Sequence, residues 1–300
     1  MSFKNAFKNL IAHFGIVWAI LLYMIICAAI IAGLSIPFLL PVGRAFAEAG
    51  VFDGISSAFS SLLGDGGWNG LWDGLYSVYD EIVGVFAANS GLTQLVMSFF
   101  IIIAIVAFRF FFGLYEIPLA TVLDGRMSCN AAYGFGGKFI STLGVSVRFS
   151  LAKMPIMILF DGVSFGLTYG AVSLIGFNVA LPFVIILIML ALRALRSSLT
   201  ACWASSVAGG MGVIKGFVRS AKVCFKRFGS IYSTYFVTWM LYIAVGLFVS
   251  VFTLGVGLIV VLPFCMAMLG YIGITVYYNK TGKRYYIDGT VYTPPAENVV

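Results

Sequence analysis

Three ionisable side chains lie inside otherwise apolar runs: Arg109, Glu116 and Asp161. A charge at membrane depth is costly, so such groups either mark an ion or proton pathway or pair with one another. Arg109 and Glu116 are seven residues apart, which on one helix puts them on a common face roughly 10 Å apart. Asp161 falls near the middle of its run. A pair between Asp161 and Arg109 would cancel charge inside a helix bundle. Two readings follow: an ion pair that ties helices together, and a polar pathway across the membrane. Other chemistry is hard to assemble. With His13 the only histidine, neither a Ser-His-Asp set nor a His-based metal site is expected. Gly209-Gly210-Met211-Gly212 precedes Lys215 without the order of a phosphate-binding loop, and Gly134, Gly136 and Gly137 lack the strand a dinucleotide loop needs. Asp124-Gly125-Arg126 reads as a turn closing an apolar run. No cofactor, metal or enzymatic activity is expected.

The elements that must position these groups are apolar. The chain is 61% hydrophobic and 10% charged, with a mean hydropathy of +1.05, whereas soluble domains carry about 25% charged residues. In water such a chain would expose large apolar patches. The longest apolar runs cover residues 15–40, 94–122, 151–174, 177–195, 231–252 and 254–277. A hydrocarbon core of ~30 Å takes about 20 helical residues, which each run supplies or approaches. The expected fold is all-α: a polytopic membrane protein with six transmembrane helices as three antiparallel pairs, plus amphipathic interfacial helices. The expected organisation is a six-span domain, 1–278, and a polar cytoplasmic tail, 279–300. The domain carries an external amphipathic insertion, 44–91, and a cytoplasmic basic amphipathic helix, 211–229. Very short gaps after the third and fifth runs require tight hairpins. Lys4 and Lys8 precede a run too long for a signal peptide, so the first span is read as retained.

Charge orients the spans. Lys4 and Lys8 precede the first, and Arg126, Lys138, Arg148 and Lys153 fall between or beside the second and third. Arg193, Arg196, Lys215, Arg219, Lys222, Lys226 and Arg227 lie between or at the ends of the fourth and fifth, and Lys280, Lys283 and Arg284 follow the sixth. The other side carries Arg44 with Glu48, Asp53, Asp65, Asp73, Asp80 and Glu81. The positive-inside rule puts both termini in the cytoplasm. That orientation explains the net charge of +7 without nucleic acid. The five cysteines form no CxxC pair and none falls outside, so free thiols are expected.

A repeat emerges from the same residues. The segment Phe3–Gly15, leading into the first span, aligns with Lys215–Gly229, leading into the fifth. Lys8 then meets Lys222, and Phe14 meets Phe228. A weaker copy runs from Lys138 to Lys153. In the clearest copy Ile214, Phe217, Val218, Ala221, Phe225 and Phe228 form one helical face, and Lys215, Arg219, Lys222 and Lys226 another. Such a helix lies flat at the interface, its cations among anionic headgroups, each worth ~1 kcal/mol. Lys215, Arg219, Lys222, Lys226 and Arg227 are the candidate lipid-surface residues. The expected partners are anionic membrane lipids, with a partner membrane protein or a second copy as further possibilities. The simpler alternative is an elbow between spans.

The external segment reads as two short amphipathic helices, one with Phe52, Ile55, Phe59 and Leu62, the other with Leu71, Trp72, Leu75, Tyr79, Ile82 and Phe86. Gly64-Asp65-Gly66-Gly67 is the turn between them. Trp68, Trp72, Tyr76 and Tyr79 suit a headgroup layer. The acids lack calcium-loop spacing, so the segment reads as a solvated cap. In the tail, Thr281-Gly282 and Asp288-Gly289 suggest a small hairpin.

Two stretches carry a family likeness: Leu123-Asp124-Gly125-Arg126 followed by an amphipathic segment, and Gly212-Val213-Ile214-Lys215-Gly216-Phe217-Val218-Arg219-Ser220-Ala221-Lys222 leading into a span. With the repeated layout, they make the chain resemble the membrane domain of bacterial glycerophosphodiester phosphodiesterases and related stand-alone membrane proteins. The resemblance implies a helical bundle in the bacterial inner membrane. It does not imply the enzyme's activity, because the catalytic barrel with its histidine and acids has no counterpart here. The long external insertion also departs from the family layout.

Overall fold

Continuous apolar sequence with no competing strand pattern makes long helices, and helices dominate the computed structural model. It describes residues 2–64, 67–131, 133–175, 180–287 and 289–296. In chain order they are α1 (Ser2–Ala12), α2 (Gly15–Glu48), α3 (Val51–Leu63), α4 (Gly67–Ala88) and α5 (Ser90–Phe99). A π-helical stretch, Phe100–Ala107, leads into α6 (Phe108–Gly113) and α7 (Glu116–Cys129). Then come α8 (Phe135–Ile175), α9 (Ala180–Leu199), α10 (Trp203–Ala208), α11 (Val213–Lys226), α12 (Phe228–Phe252) and α13 (Leu258–Thr281). A two-stranded antiparallel hairpin, β1 (Tyr285–Ile287) and β2 (Thr290–Tyr292), follows. Six helical segments are long and apolar enough to cross a membrane: 15–48, 90–129, 135–174, 180–208, 228–252 and 258–281. The fold is the expected all-α, polytopic one.

Several boundaries move. The 34 residues of α2 reach about 51 Å at 1.5 Å per residue, well past a hydrocarbon core. Asp124-Gly125-Arg126 is not a turn: α7 runs through it and ends at Cys129, where Asn130 takes the left-handed conformation. The reason is packing, since Tyr278 of α13 donates to Asp124 Oδ1 at 2.5 Å. The weaker, middle copy is not a separate amphipathic helix either. Lys138 to Lys153 lie inside the single 41-residue α8. Arg109 and Glu116 do not share one regular helix face, because a π-helical stretch precedes Arg109 and a turn at Leu114–Tyr115 separates α6 from α7. The hairpin between the third and fourth spans falls at 176–179 and the middle of the external turn at Asp65–Gly66, both outside the described residues, as is the side chain of Leu62.

The chain forms two compact units, Met1–Ile26 with Phe110–Val300, and Cys27–Arg109. In the first, Trp203 is the centre of the core. Phe149 meets its ring edge-on at 4.9 Å and Phe217 lies tilted against it at 4.8 Å, with Ile117 and Val207 beside them. Its indole N–H is satisfied by the Val213 carbonyl at 2.8 Å. The tail is bound into this unit. Asn5 of α1 donates to the Tyr285 hydroxyl at 3.0 Å, which donates to Asn279 of α13 at 3.0 Å. Tyr285 also stacks on Tyr278 at 5.6 Å. In the second unit, α3 and α4 make a close antiparallel pair. Phe46 of α2 packs on Phe86 of α4 at 5.7 Å, and Phe38 of α2 on Phe99 of α5 at 5.9 Å.

Candidate functional site

The basic helix α11 has three faces. Gly216, Ser220, Val223 and Cys224 are buried and form the packing face. Small residues let the helix approach closely. A Cβ on Gly216 would stand 3.0 Å from Val207 and 3.3 Å from Trp203. Ser220 clamps the contact by donating to the Leu199 carbonyl at 2.7 Å and accepting from the Cys202 N–H at 3.1 Å. The second face is apolar and open: Ile214, Val218 and Phe225 are exposed, Ile214 at 77% and Phe225 at 71%. The third carries Lys215, Lys222 and Lys226, all exposed, with Arg219 half-buried at its edge. Phe217, grouped with the open apolar face in the sequence reading, belongs to the core instead. Arg227 follows the helix as an exposed residue.

Helix α1 repeats this arrangement in register. Ala6, Asn9 and Leu10 are buried, as are their counterparts Ser220, Val223 and Cys224. Lys8, Ile11 and Phe14 are exposed, as are Lys222, Phe225 and Phe228. Both helices therefore present an open apolar strip beside a basic one.

More cations gather at the end of α13. Arg219 lies 5.6 Å from the centre of the Tyr277 ring and Lys283 5.4 Å from the same centre. Lys283 is also 5.8 Å from the Tyr278 ring. All three contacts are of cation–π length. Lys280, one turn beyond Tyr277, is only 7% exposed and lies within electrostatic reach of Arg227 and Cys202. Sequence reasoning placed Lys280 and Lys283 on the basic side but missed this convergence, which needs the tail folded back on α13. It also missed the partial burial of Arg126. Its Nε and the Tyr271 hydroxyl are buried without hydrogen-bond partners among the described residues, although the two groups lie within reach of each other. Gly125 is fixed by Tyr133, whose ring would sit 2.1 Å from a Cβ there. Burial pushes the Cys224 thiol up to about 11 and the Tyr285 hydroxyl up to about 12.

The two acids inside the spans, Glu116 and Asp161, have cationic neighbours. Lys153 of α8 donates to both carboxylate oxygens of Glu116, at 2.6 Å to Oε2. Arg196 of α9 stands 3.6 Å from Asp161 of α8, with the two side chains 11% and 33% exposed. Arg109 closes the second unit and is half-buried. The pairs involve residues that the sequence put at the basic ends of spans, Lys153 and Arg196, whose reach into the bundle periodicity does not reveal.

Comparison with known proteins gives no match: no family model, curated protein or solved structure shows significant similarity to the chain.

Proposed function

We propose that this chain is a non-enzymatic bacterial inner-membrane protein that gathers anionic phospholipid at the cytoplasmic face through its basic amphipathic helices. The observation that carries this reading is the three-faced build of α11: one face is committed to the bundle, while an open apolar strip and a lysine strip remain side by side. That pairing is what a headgroup–acyl boundary accommodates. The same register in α1 supports it. Arg219 and Lys283, held against Tyr277, add fixed positive charge beside the lysine strip. A partner membrane protein carrying an acidic cytoplasmic surface would use the same strip. The bacterial setting follows the resemblance in layout, and the cytoplasmic placement follows the positive-inside distribution.

The reading as a transporter or channel component through Arg109, Glu116 and Asp161 has less to recommend it. Lys153 faces Glu116 and Arg196 faces Asp161, as in ion pairs that hold helices together.

The test uses the full chain in nanodiscs of equal phosphatidylglycerol and phosphatidylcholine, with spin-labelled lipid reporting the boundary composition. The wild type should select phosphatidylglycerol at low salt and lose part of that selection at high salt. The Lys215→Gln/Lys222→Gln/Lys226→Gln variant should lose up to ~1 kcal/mol of preference per lysine. Equal selection by wild type and variant would reject the proposal.

A further inference from the structure

The pair α3 and α4 is an internal duplication. Val51-Phe52-Asp53-Gly54-Ile55-Ser56-Ser57-Ala58-Phe59 reappears as Leu71-Trp72-Asp73-Gly74-Leu75-Tyr76-Ser77-Val78-Tyr79. Burial follows the repeat residue by residue. The contacts do as well. A Cβ on Gly54 would lie 2.9 Å from Val78, and one on Gly74 2.6 Å from Ala58. Exchanging the two helices exchanges those contacts, so the hairpin has a local two-fold axis perpendicular to its plane. Equivalent residues must then point to the same side of the hairpin.

This symmetry sorts the side chains. Phe52 and Phe59 are spaced by seven on α3. Trp68, Trp72, Tyr76 and Tyr79 are spaced by four, four and three on α4. All six lie on one face, and each is more than half exposed. The opposite face carries Asp53, Ser57 and Ser60, with Asp73, Ser77 and Asp80, all exposed. No Lys or Arg occurs between Val51 and Ala88. Each half of the duplication thus supplies both an aromatic and an acidic surface.

We propose that the α3–α4 hairpin is a two-faced plate whose aromatic side beds in the lipid headgroup–acyl boundary while its acidic side faces water. Its tethers point to lipid as the occupant. Two residues separate Glu48 at the end of α2 from the start of α3, and only Asn89 separates α4 from α5. Both flanking helices lie within segments long and apolar enough to cross a membrane, so the plate is held at the bilayer surface. Six exposed rings on one side would be an aggregation liability in water. Tryptophan and tyrosine, with apolar bodies and polar tips, favour the boundary layer. The acids on the far side stay clear of headgroup phosphates. The plate does not depend on the basic face of α11 and stands if the anionic-lipid reading fails.

The test places one nitroxide on the full chain in proteoliposomes, with native cysteines replaced. Ser56→Cys puts it on the aromatic side and Ser57→Cys, the next residue, on the acidic side. Relaxation by oxygen should exceed that by a water-soluble nickel complex several-fold at Ser56, and the order should invert at Ser57. Equal nickel access at both sites would overturn the proposal in favour of a solvated cap. Shielding of the Ser56 label from both reagents, with spin–spin broadening, would overturn it in favour of contact between two copies. Shielding from both without broadening would assign that face to contact within the protein and also overturn it. As an independent measurement, Trp68→Phe/Trp72→Phe should remove most of the fluorescence quenched by shallow brominated lipid. Unchanged quenching would count against the plate equally.

Discussion

Glu116 and Lys153 illustrate how single residues stabilise a polar bundle interior. Their side chains are 21% and 14% exposed, so each charge has lost much of its water and depends on the other. Lys153→Met leaves the carboxylate without its ammonium. The expected loss, read by thermal unfolding in detergent, is about 2–3 kcal/mol, between the limits for exposed and buried pairs. Glu116→Gln in the same chain should recover part of it; no recovery would mean that the pair is not coupled. Cys224 supplies a pH test. Its thiol titrates near 11 because burial disfavours the thiolate, against ~8.5 for a free cysteine. The folded state therefore holds this proton more tightly than the unfolded state. That contribution is complete below about pH 8.5 and is lost as pH rises towards 11. The wild type should lose stability across this alkaline window more steeply than Cys224→Ala, and parallel curves would show that the group is not linked to folding.

The elements differ in how openly their sequence declares them. The lysine strip of α11 is plain at helical spacing. Its packing face is not, because Gly216 and Ser220 carry little hydropathy and their role is close approach. For the same reason the spacing of Phe217 suggested an open apolar face, and only Trp203 shows where that ring goes. Ser220→Val should break two hydrogen bonds at the heart of the α11 contact. A loss of about 1 kcal/mol per bond is expected, and more if the Cys202 N–H is left buried. A neutral result in the same unfolding assay would mean that α11 is held by its apolar contacts alone. The α3–α4 duplication has a plain signature that sequence reasoning passed over, two Asp-Gly steps twenty residues apart; that both aromatic sets share a side follows only from how the two helices pack. The continuity of α8 through Lys138–Lys153 could not be read, because a basic amphipathic stretch has the same spacing whether it bends away or continues into a span.

At the level of the whole molecule, apolar length supplies six helices able to cross a membrane, and the positive-inside distribution is the basis of the proposed direction. The parts that resisted sequence reading are long-range: the tail clasped between α1 and α13 through Asn5, Tyr285 and Asn279, and the cations drawn together around Tyr277. Neither has a local signature, since each joins segments remote in sequence and adjacent in space, α1 with the tail hairpin and α11 with the end of α13. In the proposed orientation the basic helices and the acidic hairpin face opposite sides of the bilayer. The most direct measurement is side-specific labelling of single cysteines, at Lys222 and at Ser57, with an impermeant maleimide on intact cells. Ser57→Cys should react before permeabilisation and Lys222→Cys only after it. Reaction of both, or of neither, in intact cells would contradict the account.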